Sequence, residues 1–259
     1  MAKHVFDCID AHTCGNPVRL ILSQKPNLVG SSMSQKRSDF IKNFDWIRKS
    51  LMFEPRGHDI MSGGMIFPPN NPNNDFSILF LETSGCIPMC GHGTIGIVTI
   101  ALEENLVKPK VDGILNIEVP AGNIIVRYEK KGNKVLWVEI VNVDSYLAAK
   151  NLFVISKFLG KINFDVSYGG NFYVIIDKQE NYSDLNDYKA EQLISYSREI
   201  REKINNKYVD KFIHPFDSSI KDVSHILWVG EVIDESSSSR NAVFYGDKAI
   251  DRSPCGTGS

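Results

Sequence analysis

The sequence predicts an α+β protein made of two similar units, each with strands wrapped around one buried helix. Three observations lead to this prediction. A Cys-Gly-x-Gly motif occurs twice, starting at Cys90 and again at Cys255. The first copy opens a long apolar run, over 95–106, that ends before a proline and is typical of a buried helix. A turn followed by an apolar strand precedes each copy, over 10–21 and over 165–176.

Composition and charge argue against several classes of protein. The chain has 259 residues, 42% of them hydrophobic, and a formal net charge of −2, which gives no basic patch for nucleic acid or a membrane surface. The N-terminal residues lack the apolar run of a signal peptide, and no apolar segment is long enough to span a bilayer. We therefore expect a cytoplasmic protein. Five cysteines in such a chain predict free thiols and no disulfide framework.

The first unit is predicted over 1–147. Residues 10–22 predict a turn that feeds a strand, and 34–51 predict one amphipathic helix with Ser34 or Ser38 as its N-cap. The polar loop over 53–64 either caps a site or connects two strands. The remaining strands are separated by turn residues and are predicted over 76–82, 114–119, 122–129 and 134–143.

The second unit is predicted over 148–259. It starts with the turn and strand over 165–176, continues with a helix over about 186–205, and contains strands over 224–230 and 241–245. The first unit continues past its cysteine motif with a helix and strands, whereas the sequence stops shortly after Cys255. We therefore expect the second unit to be incomplete at its C-terminus.

The repeated motif predicts two acid–base groups. A cysteine at a helix N-terminus faces unpaired backbone N–H groups and the positive end of the helix dipole, and both favour the thiolate. Two thiols on opposite faces of a carbon next to a carboxylate would invert that carbon without a cofactor, one removing a proton while the other supplies one. The carboxylate would be bound by backbone N–H groups of the residues after each cysteine, namely Gly91, His92, Gly256 and Thr257.

Two other residues have both a chemical and a structural interpretation. Asp251 is placed to bind a substrate ammonium group, or it caps a helix. His92 is placed to bind the carboxylate or to orient Cys90, or it is a packed imidazole.

The first motif is compatible with three other kinds of site. Cys86, Cys90 and His92 offer zinc ligands, but their spacing is not that of a usual zinc knuckle. The glycines at 91, 93 and 96 match a dinucleotide-binding pattern, although the preceding strand lies too far away for the required tight turn. A cysteine hydrolase with Cys90 and a histidine partner leaves Cys255 without a role.

These motifs together resemble those of the proline racemase family. The two paired signatures are 89–94 and 251–258, and the likeness extends through 10–13, 54–58 and 239–244. The resemblance implies a cofactor-independent enzyme without a metal, with a diaminopimelate-epimerase-like fold of two pseudo-symmetric units, assembled as a homodimer. It implies Cys90 and Cys255 as catalytic thiols, and a substrate site made of Gly91, His92, His225, Asp251, Gly256 and Thr257.

The family that this sequence resembles has three activities, and particular residues distinguish them. Its trans-3-hydroxyproline dehydratases have a threonine at the position of Cys255. Its proline racemases commonly have glutamate at the position of Asn16 and an aromatic residue near Ser62. The resemblance therefore implies epimerisation of trans-4-hydroxy-L-proline to cis-4-hydroxy-D-proline, with proline racemase as the alternative and a non-catalytic Cys/His metal-binding module as a weaker one. The expected partner is a small molecule, hydroxyproline or proline, and neither nucleic acid nor a membrane.

Overall fold

The computed structural model describes residues 3–259 and contains two compact units. The first unit ends at Val143, and the second runs over Asp144–Ser259. Each unit is built on one main β-sheet, and the helices pack against these sheets. No helix among residues 3–259 combines the length and the apolar character needed to cross a bilayer.

The first unit contains a seven-stranded mixed sheet in which the strands follow one another in chain order. Its strands are β1 (Cys8–Thr13), β2 (Asn16–Ile21), β3 (Ser62–Phe67), β4 (Phe76–Glu82), β5 (Ile114–Val119), β6 (Gly122–Lys131) and β7 (Lys134–Val141). The pairs β2–β3 and β4–β5 are parallel, and the other neighbours are antiparallel. The predicted strands over 76–82, 114–119, 122–129 and 134–143 are confirmed to within two residues.

The helix α3 (Gly91–Glu103) lies at the centre of this unit, as the apolar run predicted. It packs against β1, β2 and β3 and also against β7, so the sheet curves around it from its first strand to its last. Two glycines permit the close approach. A Cβ on Gly96 would lie 2.7 Å from Val18 Cγ2, and a Cβ on Gly64 would lie 2.9 Å from Ile97 Cδ1.

The amphipathic segment forms two helices and not the single helix that we predicted over 34–51. They are α1 (Met33–Asn43) and α2 (Asp45–Met52), separated at Phe44, whose backbone leaves the helical region. The N-cap is Ser32, which accepts the Gln35 N–H, and neither Ser34 nor Ser38. Ser38 instead donates its hydroxyl to the Ser34 carbonyl inside the helix.

The second unit contains a six-stranded sheet and repeats the order of elements in the first. Its sheet runs β15-β14-β13-β10-β9-β8, with α4 (Ala190–Lys207) between β10 and β13 in the chain and a separate hairpin β11–β12. The strands are β8 (Tyr146–Ser156), β9 (Gly160–Tyr168), β10 (Phe172–Ile176), β11 (Ile213–His214), β12 (Asp217–Lys221), β13 (Val223–Gly230), β14 (Arg240–Tyr245) and β15 (Ala249–Ile250).

The same connection recurs in both units, as the repeated motifs indicated. Each unit has a hairpin, β1–β2 in the first and β9–β10 in the second, and the hairpin is followed by a helical segment. The chain then forms a strand parallel to the second strand of the hairpin, and a further strand antiparallel to that one. The parallel pair is β2–β3 in the first unit and β10–β13 in the second. Each cysteine motif comes after the antiparallel neighbour, β4 or β14.

Several strands were not predicted. Residues 10–13 belong to β1 and not to a turn, β8 was missed, and β3 begins inside the loop predicted over 53–64. Glycine is a poor strand residue, which hid the start of β3. The packing requires it there, because a Cβ on Gly63 would lie 2.1 Å from the Arg19 carbonyl oxygen on β2.

Candidate active site

Cys90 is the N-cap of α3, and its side chain is 4% exposed. The backbone of Cys90 is extended, and Sγ accepts the Gly93 N–H at 3.3 Å, so the sulfur occupies the position of a capping oxygen. Glycine at 93 makes room for it, since a Cβ there would lie 2.9 Å from Sγ. The predicted position of Cys90 at a helix N-terminus is therefore confirmed. An N–H group and the helix dipole both favour a negative sulfur.

His92 is buried beside the same sulfur. Its ring nitrogen Nδ1 lies 3.4 Å from Cys90 Sγ, and Nε2 lies 3.0 Å from Nδ2 of the buried Asn16. The Thr13 hydroxyl donates to the His92 carbonyl at 2.9 Å. The hairpin β1–β2 thus holds the imidazole against the sulfur. Gly91, next to it, is the first residue of α3 and is half-buried.

A buried carboxylate also reaches Cys90, and the sequence prediction missed it. Glu82 is the last residue of β4, 2% exposed, with Oε1 3.5 Å from Cys90 Sγ. Ser84 donates its hydroxyl to Glu82 Oε2 at 3.1 Å. The available signal was a charged residue that ends an apolar strand immediately before the motif. Charged residues are rarely buried without a partner, so such a position points to an interaction inside the protein.

Two arginines fix the path of the chain between β4 and α3. Arg48, itself 7% exposed, donates from Nη1 to the carbonyl oxygens of Glu82 and Thr83 at 2.9 and 3.0 Å. Asp45 pairs with the other side of this guanidinium. Arg37 donates from Nε to the Cys86 carbonyl at 2.6 Å. The outer helices α1 and α2 therefore hold the backbone that carries Cys90.

The polar loop over 53–64 contributes one buried hydroxyl to this region. Ser62 is 0% exposed, and its Oγ has no hydrogen-bond partner among the described residues. Ser62 pairs with Glu82 across β3 and β4. Side chains at directly opposed positions of antiparallel strands lie on the same face of the sheet. The Ser62 hydroxyl therefore lies on the face from which Glu82 reaches Cys90.

Cys86 takes no part in this cluster of reactive groups. It is buried among apolar side chains, and this burial raises the pKa of its thiol to about 12. Between residues 3 and 259 no group of three or more His, Cys, Asp or Glu side chains is arranged to hold a metal ion. The glycines of the dinucleotide-like pattern have packing roles, with Gly93 beside the Cys90 sulfur and Gly96 against Val18.

Cys255 lies in a tight turn in the second unit. It is 6% exposed, and the Gly258 N–H donates to the Cys255 carbonyl at 2.9 Å. Cys255 has a left-handed backbone conformation, with a φ of +56°. Gly256, the residue that follows, is exposed.

Tyr173 connects three of the predicted residues of the second unit. Its hydroxyl lies 2.6 Å from Thr257 Oγ1 and 3.9 Å from Cys255 Sγ. Its ring stacks on His225, with centroids 4.5 Å apart. His225 thus packs against the ring whose hydroxyl lies near the Cys255 sulfur. The sequence prediction missed Tyr173, although it occupies the position equivalent to Val18 in the aligned repeats, and Val18 packs against Gly96 of α3.

The environment of Cys255 favours the neutral thiol. Burial raises its pKa above the ordinary value, and the negative charge of Asp251 raises it further. Hydrogen bonding with the Tyr173 hydroxyl and with the Gly258 N–H opposes this shift of the pKa without cancelling it. Asp251 also accepts the Ser253 N–H at 2.8 Å, so its carboxylate is fixed beside the thiol.

Residues 8–259 match the family model described as proline racemase. The chain belongs to the proline racemase family. It is 58% identical over 260 residues to the 4-hydroxyproline 2-epimerase of Spirosoma linguale, and this alignment covers 100% of this chain and 77% of the relative. It is 55% identical to the 4-hydroxyproline 2-epimerase 2 of Brucella anthropi, covering 100% and 76%. The family resemblance inferred from the motifs is confirmed.

Two crystal structures share the fold of this family member. A probable proline racemase from Agrobacterium radiobacter, with bound carbonate, matches with a TM-score of 0.86 at 23% identity, covering 98% of this chain and 74% of that one. A hydroxyproline epimerase from Agrobacterium vitis, with bound trans-4-hydroxy-L-proline, matches with a TM-score of 0.85 at 20% identity, covering 97% and 73%. The predicted α+β fold class is confirmed by these matches.

Proposed function

We propose that this chain is a 4-hydroxyproline 2-epimerase, an isomerase that converts trans-4-hydroxy-L-proline to cis-4-hydroxy-D-proline without a cofactor. The observation that carries the proposal is the 58% identity, along the whole chain, with a relative of that name. The environments of Cys90 and Cys255 support the chemistry. Each is a buried thiol with a backbone N–H group and a carboxylate close to its sulfur.

We assign the two proton transfers to Cys90 and Cys255. The hydrogen on a carbon next to a carboxylate is weakly acidic, so its removal requires a close base and few competing waters. Inversion also requires that the new proton arrive on the opposite face. One sulfur, as the thiolate, takes the α-proton while the other, as the thiol, donates its own. The two cysteines exchange roles when the substrate enantiomer changes.

Substrate binding is assigned to groups around the two sulfurs. The backbone N–H groups of Gly91 and His92, at the start of α3, suit the carboxylate, because the first N–H groups of a helix lack helical partners and attract anions. Gly256 and Thr257 are assigned to the same carboxylate. Asp251 is assigned to the substrate ammonium group.

One further residue and two broader properties complete the proposal. His225 supports the site through the stacked Tyr173 ring. The family resemblance supports a homodimer, which sedimentation of the purified chain would test, and a cytoplasmic location.

Exchange of the substrate α-hydrogen in heavy water tests this function. We expect the α-proton signal of trans-4-hydroxy-L-proline to disappear, with cis-4-hydroxy-D-proline forming, and we expect slower exchange with L-proline. Cys90→Ala and Cys255→Ala should each abolish inversion. Faster exchange with proline would replace the epimerase by a proline racemase, and inversion retained in either single variant would contradict the two-cysteine mechanism.

A further inference from the structure

The proposed mechanism leaves one group beside Cys90 without a role. The carboxylate of Glu82 is nearly inaccessible to solvent, and Oε1 lies 3.5 Å from Sγ, within hydrogen-bond distance for sulfur. Burying a carboxylate is unfavourable unless it is hydrogen-bonded or paired. Ser84 supplies one hydrogen bond to Oε2, and the thiol of Cys90 is within reach of the other oxygen.

The Cys90 sulfur has a separate partner for each of its protonation states. As a thiolate it accepts the Gly93 N–H at 3.3 Å. As a thiol it has a proton to donate, and Glu82 Oε1 is an acceptor at 3.5 Å. A group that serves as base in one direction and as acid in the other requires both arrangements. A helix N-terminus alone provides only the first, because it stabilises the negative sulfur.

We propose that Glu82 is a positioning residue for Cys90, whose carboxylate accepts the S–H of the thiol, fixes the direction of the proton and stabilises the thiol against the thiolate. This inference rests on the proposed function, in which Cys90 acts as an acid in one direction. The Glu82 carboxylate opposes the effect of the helix dipole on the Cys90 sulfur, so neither the thiol nor the thiolate is strongly favoured.

The other groups around the sulfur are compatible with this role. The titratable groups that contact the Cys90 sulfur include Glu82 from β4 and His92 from α3 itself. The neighbouring hairpin contributes Asn16, which carries no charge. From α2, the charged Arg48 binds the main-chain carbonyl of Glu82, and its guanidinium is paired with Asp45. Arg48 thereby fixes the end of β4, and the Glu82 carboxylate accepts from Ser84 and lies within hydrogen-bond distance of Cys90.

The pH dependence of alkylation at Cys90 tests the proposal without relying on turnover. The rate of modification by iodoacetamide, read for the Cys90 position by peptide fragmentation and mass spectrometry, follows the thiolate fraction. In Glu82→Gln, which keeps the shape but removes the charge, we expect the midpoint of this rate to fall by about one pH unit or more. Glu82→Asp, which keeps the charge, should stay closer to the unaltered chain.

The control is Glu103→Gln, which removes a carboxylate from the opposite end of the same helix. We expect this variant to keep both the midpoint and the exchange rate of the unaltered chain. In Glu82→Gln we expect kcat for exchange of trans-4-hydroxy-L-proline to fall by tenfold or more with little change in KM, because in this proposal Glu82 acts on the Cys90 thiol and not on the substrate. A folded Glu82→Gln variant with an unchanged midpoint would overturn the proposal and leave Glu82 a structural residue.

A measurement on the unaltered chain covers the case in which Glu82→Gln does not fold. At a pH below the alkylation midpoint, the infrared S–H stretch that disappears in Cys90→Ala should lie at the low frequency of a thiol bonded to a strong acceptor. A frequency typical of a free thiol would refute the contact. If the unaltered chain exchanges no substrate, the proposed function fails, and the midpoint and the S–H stretch still decide the role of Glu82.

Discussion

Replacing Ser62 by alanine should make this protein more stable and less selective. Ser62 is fully buried at the start of β3, and its hydroxyl has no hydrogen-bond partner among the described residues. Its strand partner is Glu82, which reaches Cys90. We expect the 4-hydroxyl group of the substrate to bond the Ser62 hydroxyl, since both lie near the thiol that reacts with the α-carbon.

The two effects can be estimated separately. A buried hydroxyl without a partner costs about 1–3 kcal/mol, so its removal should raise the free energy of unfolding by up to that amount. For a chain of this size each kcal/mol raises Tm by about 2–4 °C. A neutral hydrogen bond contributes about 0.5–1.5 kcal/mol net, which corresponds to a preference for hydroxyproline over proline of up to about tenfold.

Two measurements on Ser62→Ala check these estimates. Thermal unfolding followed by circular dichroism should give a higher Tm than the unaltered chain. Competition between trans-4-hydroxy-L-proline and L-proline in heavy water should give a ratio of kcat/KM values closer to one. An unchanged ratio, with Tm raised, would show that the substrate hydroxyl does not reach Ser62. A lowered Tm would show that the hydroxyl has a partner that stabilises the fold.

Three further predictions concern other parts of the two units. Glu118 accepts hydrogen bonds from Asn70, Asn71 and Asn74. Burial raises the pKa of Glu118, but these hydrogen bonds lower it by more, so the pKa in the folded chain lies below its ordinary value. The carboxylate should therefore stabilise the fold near neutral pH, and this contribution should be lost as the pH falls below about 4. Glu118→Gln should lose the bonds at one oxygen and about 3 kcal/mol of unfolding free energy in urea, and an unchanged denaturation midpoint would contradict this. Gly93→Ala would place a methyl group 2.9 Å from Cys90 Sγ, so exchange of the substrate α-hydrogen should slow by tenfold or more, whereas an unchanged rate would mean that the sulfur moves aside without cost. Burial raises the pKa of Cys255, so its alkylation should require a higher pH than that of a free cysteine, and Tyr173→Phe, which removes an opposing hydrogen bond, should raise that pH further. A lower alkylation midpoint in Tyr173→Phe would show that the tyrosine hydroxyl does not stabilise the thiolate.

The sequence predicted the central helix because its signal is local. An apolar run with a cysteine and glycines at one end and a proline beyond the other defines α3 to within a few residues. The break at Phe44 was not predictable in this way, because the apolar positions of α1 and α2 continue with helical spacing across it. Tertiary packing of both helices against β4 decides where that helix ends.

The candidate site was predicted where its residues are adjacent in sequence. Cys90 and His92 lie together because they share one helical turn. The contacts of Glu82 with Cys90, of Asn16 with His92 and of Tyr173 with Cys255 were missed because each joins a strand residue to a helix or a turn through tertiary packing. Cys255 lies in a turn, and its left-handed backbone conformation is not encoded by residue type, since cysteine has no preference for positive φ.

The arginine contacts to the backbone of 82, 83 and 86 determine how the segment over 82–86 tolerates substitutions. Arg37 and Arg48 bind carbonyl oxygens, and every amino acid presents such an oxygen at 82, 83 and 86. Substitutions of the side chains at 83 and 86 would therefore keep the tether and the delivery of the thiol. Substitution of either arginine would release the backbone of this segment, whichever side chains the segment carries. The position of the segment therefore depends on two residues outside it.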